Sequence, residues 1–139
     1  MKKWYFILSL LALTILPALA ADWVEIYYKM YIDSSSHEYN LKTKVARIWI
    51  KALNSEGYNI ENINGKKVWY ELKYQEFDCA KKQTLMLSST YYDLQGRVLD
   101  SYENPYINAS ESLRQRSYST IVPDSIGELL YETACYPYL

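Results

Sequence analysis

The sequence predicts an α+β domain, an antiparallel β-sheet followed by one C-terminal α-helix. Three observations carry that prediction. The run Thr43 to Leu53 alternates, with Ala46, Ile48, Ile50 and Ala52 on one side and Thr43, Val45, Arg47, Trp49 and Lys51 on the other, the two-residue period of a strand. Ser125 stands three residues before Glu128, a capping-box pattern, and Ile126, Leu129, Leu130, Thr133 and Ala134 then recur at helical spacing until Pro137 forbids continuation. Cys79 and Cys135 are the only cysteines, an even count that in an exported chain favours a disulfide.

Export is read from the first residues. Lys2 and Lys3 precede an apolar run from Trp4 to Leu16, and Pro17 leads to the small-residue triplet Ala18, Leu19, Ala20, the order of a secretory signal peptide. Spanning a bilayer as a helix takes roughly 20 residues, so the run favours cleavage after Ala20 over a retained anchor. Residues 1–20 are therefore assigned to a signal peptide and residues 21–139 to one mature domain, periplasmic, secreted or at the cell surface, with no membrane span after cleavage. No cysteine follows the cleavage site to accept a lipid. The formal net charge is −1, and losing two lysines makes the mature chain more acidic, which argues against a nucleic-acid partner.

The elements follow in order. Trp23 to Ile32, dense in aromatic and β-branched residues, reads as a first strand ending at the polar cluster Asp33 to Ser36, where Asp33 is a turn-former or cap. Thr43 to Leu53 is the best strand in the chain. Asn54 to Gly65 carries the Asn64-Gly65 turn signal and reads as a loop closing a hairpin. Lys67 to Cys79 places Val68, Tyr70, Leu72 and Tyr74 opposite Trp69, Glu71, Lys73, Gln75 and Phe77; a strand fits, and a helix is the alternative. Past the Lys81-Lys82 turn, Thr84 to Tyr92 and Arg97 to Tyr102 form a hairpin about Asp93-Leu94-Gln95-Gly96. Glu103 to Ser117 is a polar loop with room for a helical turn around Ser110 to Arg116. The helix from about Ser125 to Cys135 closes the domain.

Candidate chemistry is sparse. A Cys79–Cys135 bond would pin the terminal helix to the sheet; the alternative, redox catalysis, usually needs a C-x-x-C pair. His37 is the only histidine and lacks both metal-ligand company and a nucleophile motif, so it reads as a solvated loop residue. No phosphate-binding glycine loop or calcium-loop order is present, no cofactor or metal is expected, and the reading is of a protein that is not an enzyme. Lys66-Lys67 and Lys81-Lys82 flank one strand and read, as short charge pairs do, as solvated strand ends, with a docking patch as the alternative. The 16 tyrosines suit a sheet lined with rings; an aromatic binding face is the sharper alternative.

Tyr31-Ile32-Asp33-Ser34, Cys79-Ala80, Tyr92-Asp93-Leu94-Gln95-Gly96-Arg97-Val98 and Ile121-Val122-Pro123-Asp124-Ser125-Ile126-Gly127-Glu128 resemble, in order, segments of the surface-adhesin protein E family. The resemblance runs from about Asp22 to Tyr136. It implies a curved antiparallel sheet with a C-terminal helix tethered to the concave face by the cysteine pair. It also implies a surface adhesin that binds host extracellular-matrix and serum glycoproteins such as laminin and vitronectin, with Lys66 and Lys67 matching a basic pair that contributes to binding. A homodimer is compatible with it. Two departures stand out: no lipid-accepting cysteine at the mature start, and Glu103 to Ser117, with only Arg114 and Arg116, where the family has a lysine-rich stretch. The resulting expectation is an exported, non-catalytic binding module; the alternative is a periplasmic or envelope-associated structural domain of the same fold with no host ligand.

Overall fold

The computed structural model describes residues 20–54 and 62–136. The expected signal peptide up to residue 19, most of the Asn54–Gly65 loop and Pro137 lie outside them. The described chain forms β1 (Trp23–Tyr27), β2 (Met30–Asp33), a 3-10 turn (Ser34–Ser36), β3 (Glu38–Asn40), β4 (Val45–Leu53), β5 (Asn62–Ile63), β6 (Lys66–Lys67), β7 (Tyr70–Asp78), β8 (Gln83–Tyr92), β9 (Val98–Glu103), α1 (Glu111–Ser117), β10 (Ser119–Thr120) and α2 (Ile126–Cys135). No described helix is long and apolar enough to cross a membrane.

Eight of these strands make one open antiparallel sheet in the order β1, β2, β4, β7, β8, β10, and β5 pairs with β6 in a separate ribbon. β2 and β3 lie one after the other along the same edge of β4, divided by the 3-10 turn. β10 and β9 likewise share the far edge of β8, at its first and second halves. Register irregularities in β1, along the β7–β8 pair and near the end of β8 bend the ladder locally.

Period-two alternation decides what β4 buries. Ala46, Ile48, Ile50 and Ala52 are buried and every residue between them is half-buried, as the sequence predicts. Register then carries the buried face outward: Ile50 meets Ile32, Ala52 meets Met30 and Ala46 meets Phe77 across the ladder. Leu130, Tyr131, Ala134 and Cys135 of α2 cover this face, with Cys79 and Ile121 completing the core. Fully burying an Ile or Phe side chain contributes about 2 kcal/mol, so this shared face is the main source of stability. β7 is a strand, and its helix-facing side is the one that reads as mixed in sequence, ending in Phe77.

Three expectations are corrected. The stretch Trp23 to Ile32 is a hairpin rather than one strand, because Tyr28 and Lys29 turn the chain and Lys29 takes φ 57°. On α2 the buried stripe is shifted: Ile126 is exposed, and Tyr131 is buried with its hydroxyl donating to the Cys79 carbonyl at 2.9 Å. The capping box is half made. The Ser125 hydroxyl oxygen accepts from Glu128 N, while the Glu128 carboxylate accepts from Asp124 N and from Lys82 Nζ. Asp33 is a cap, as expected, its carboxylate accepting from Ser35 N, Ser35 Oγ and Asp22 N.

Candidate binding site

Lys66 and Lys67 form β6, and the turn before them has the geometry its residues dictate. Asn64 and Gly65 both hold positive φ, 51° and 75°, which only a type I′ hairpin turn requires at two successive positions. Both lysines are exposed, and neither makes an ion pair among the described residues. Immediately after them the chain joins the main sheet: Trp69 N donates to the Tyr92 carbonyl at 2.7 Å, and Asn54 N donates to the Trp69 carbonyl at 2.8 Å. Those bonds bring the lysine ribbon against the tip of the β8–β9 hairpin.

That tip is held by one carboxylate. Asp93 Oδ1 accepts from the backbone of Gln95 and Arg97, and Oδ2 accepts from Arg97 Nε at 2.7 Å. The Arg97 backbone N–H is the foremost cause of an Asp93 carboxyl held below its usual value. Lys66, Lys67, Trp69, Asp93, Leu94, Gln95 and Arg97 together line an open groove of about 420 Å³. Trp69 is 42% exposed and Leu94 63%, so large apolar surface stands beside two exposed lysines. Sequence reasoning finds the lysines and the hairpin separately. It misses that they share a groove, and it misses Trp69, Leu94 and Arg97 as its other walls.

A second, larger cleft of about 1050 Å³ lies on the sheet face opposite α2, between the β3–β4 turn and α1. Its floor holds Glu76, 1% exposed, whose Oε2 accepts from Arg47 Nε at 2.6 Å and whose Oε1 accepts from Arg114 Nη2 at 2.7 Å and from the Tyr118 hydroxyl. Burial, the largest single influence, pushes the Glu76 carboxyl upward, and the bonds from Tyr118, Arg47 and Arg114 more than cancel it, leaving it below its usual value. Burial and the Glu76 charge push the Tyr118 phenol well up. Arg47 is the direct cross-strand partner of Glu76, and α1 brings Arg114 over the sheet. No local motif signals this cluster.

The remaining candidates are structural. Cys79 and Cys135 are bonded, with Cα atoms 5.6 Å apart, which fastens the end of α2 to the end of β7. His37 is not a solvated loop residue: its Nε2 donates to the Ala134 carbonyl at 2.8 Å, satisfying an acceptor near the end of α2. Lys82 binds Glu128 at 2.6 Å, and Lys81 Nζ donates to Gln115 Oε1 at 2.8 Å, so the second lysine pair ties α2 and α1 to the β7–β8 turn. The tyrosines do line the sheet. On the face away from α2, Trp49 stacks on Tyr74 at 4.9 Å and Tyr70 on Tyr92 at 4.6 Å, with Lys51 Nζ 5.0 Å from the Tyr70 ring.

An open antiparallel sheet and a terminal helix locked to it by one disulfide define an α+β module, with a cationic, partly apolar groove at the hairpin end. The family described as surface-adhesin protein E matches residues 23–136, and the chain belongs to that family. Solved structures of Haemophilus influenzae protein E share the fold. One, crystal form II, aligns at 14% identity with TM-score 0.54 over 79% of this chain and 82% of that one. The selenomethionine form aligns at 14% identity with TM-score 0.55 over 86% and 95%. Among curated proteins, no relative matches.

Proposed function

We propose that the protein is an exported, non-catalytic binding module that engages host extracellular-matrix or serum glycoproteins, laminin and vitronectin being the ones its family resemblance implies, through the Lys66–Lys67 groove. The single observation carrying this reading is the pair of exposed lysines with no ion pair among the described residues, set beside exposed Trp69 and Leu94. Unpaired surface cations steer an acidic partner during encounter, and their effect is screened by salt. The route is export on a signal peptide cleaved after Ala20, which delivers the domain to the periplasm or cell surface.

Surface plasmon resonance against vitronectin and laminin tests the reading. Replacing both lysines, Lys66→Ala with Lys67→Ala, should lower the association rate severalfold at low salt and change dissociation little, because exposed charges act chiefly on encounter. The difference should shrink at high ionic strength. An unchanged association rate at low salt would remove the lysines from the site. Absence of binding by the native protein would leave an envelope-associated structural domain as the reading.

A further inference from the structure

The groove between the two hairpin tips has a composition that selects among acidic partners. Among the described residues its charged walls are Lys66, Lys67 and Arg97 against one carboxylate, Asp93, a net positive balance. Arg97 is not free: Nε is bound to Asp93 and Nη2 lies 3.3 Å from Gln95 Oε1. Among the described residues, Lys66 and Lys67 are the groove's cations left to meet a ligand. Being successive strand residues, their side chains leave the ribbon on opposite sides. Two lysines are too few for the continuous basic stripe that a polysulfated chain needs along its length.

Beside those charges stand Trp69, 42% exposed, and Leu94, 63% exposed. An indole and an isobutyl group in water gain by burial against apolar surface, and aromatic residues in such a setting serve as interface anchors. A glycan sulfate or carboxylate satisfies the lysines and leaves these two groups wet. A polypeptide segment with a large apolar side chain between acids satisfies both. The volume, about 420 Å³, lies at the small end of the ligand-pocket range and suits a short segment rather than a domain.

We infer that this groove binds a short acidic polypeptide segment carrying one large apolar anchor, with the anchor seated against Trp69 and Leu94 and the flanking carboxylates facing Lys66 and Lys67. The inference rests on the reading of Lys66 and Lys67 as binding residues and adds the class of ligand and two specificity-determining side chains. Asp93 serves as a positioning residue, fixing the hairpin that presents Leu94 and Arg97.

The test uses the purified protein and three probes in fluorescence anisotropy: a short oligoglutamate peptide with one central phenylalanine, its twin with alanine there, and a heparin oligosaccharide. The phenylalanine peptide should bind at least about tenfold more tightly than the alanine twin, the ratio expected for burying one such ring. Trp69→Ala and Leu94→Ala should each bring the two peptides together while leaving the thermal midpoint unchanged, since both side chains are exposed. Equal binding of the two peptides by the native protein, or preference for heparin that survives Trp69→Ala, would overturn the inference. Glycoprotein binding by the same variants separates the two readings. If the double lysine variant binds laminin and vitronectin like the native protein, the site itself falls; if it loses them while Trp69→Ala and Leu94→Ala keep both, only the anchor falls.

Discussion

Glu76 shows what one buried charge commits a fold to. Its carboxylate sits at 1% exposure between two guanidinium groups and a phenol, so neither arginine nor acid can be removed without leaving the others unbalanced in a poorly solvated place. Glu76→Gln should therefore destabilise by about 3 kcal/mol at neutral pH, read from urea unfolding midpoints. The pH dependence has a definite sign. The folded carboxyl lies below its ordinary value of 4.5, so its stabilisation is fully present above that pH and is lost as pH falls through the folded value. The native protein's advantage over Glu76→Gln should narrow on acidification below about 4.5; an advantage that stays constant to pH 3 would show that the network does not depend on the charge.

Residue-scale chemistry also explains which turns escape notice. Lys29, Lys44 and Lys82 hold φ of 57°, 57° and 54°, a region usually filled by glycine or asparagine. Asn64-Gly65 has the expected residues and is legible; the turn at Tyr28-Lys29 does not and is not. Each lysine's backbone is engaged where the turn meets the sheet: Leu53 N donates to the Lys29 carbonyl, Cys79 N to the Lys44 carbonyl and Ile121 N to the Lys82 carbonyl. Tertiary hydrogen bonds thus offset a local conformational cost that a sequence reading takes as decisive.

At the scale of elements, the disulfide and α2 form one unit. The bond closes a separation of 56 residues, which on a chain-entropy account stabilises the fold by about 4 kcal/mol. Three further contacts reinforce it: Tyr131 to the Cys79 carbonyl, His37 to the Ala134 carbonyl and Lys82 to Glu128. Reduction should lower the urea midpoint accordingly. Hydrogen exchange should then quicken first in α2, and the β4–β7 ladder, with nine paired residues on each strand, should stay protected longest. Uniform loss of protection across both would mean that helix and sheet fold only together. Thiol labelling of the untreated exported protein under denaturing, non-reducing conditions should find no free cysteine.

At the scale of the whole molecule, the sheet places its ends at different tasks. One end carries the disulfide and the Glu76 cluster; the other brings Lys66 and Lys67 of β6 together with the Asp93-to-Arg97 turn as the walls of the groove. Among the described residues, the first hydrogen bonds along the chain are made by Asp22, whose N–H donates to Asp33 Oδ1 and whose carbonyl accepts from Ser34 N. Cleavage after Ala20 would remove none of them. Intact mass of the protein recovered from the cell envelope or medium should accordingly begin at Ala21, and a mass beginning at Met1 would indicate a retained leader.

The sequence by itself determined the features that depend on neighbours a few residues apart: the alternation that buries Ala46, Ile48, Ile50 and Ala52, the turn at Asn64-Gly65 and the Ser125 cap; the cysteine pairing, 56 residues apart, was legible only because the chain has two cysteines and no more. Tertiary structure alone decided which side of β7 meets the helix, which side of α2 is buried, that Glu76 holds Arg47, Arg114 and Tyr118, and that Trp69 and Leu94 stand beside Lys66 and Lys67. The physical reason is range. Dihedral preference and side-chain period act along a few residues of chain, whereas strand order and register bring together groups tens of residues apart, and no local energy in the sequence records which ones.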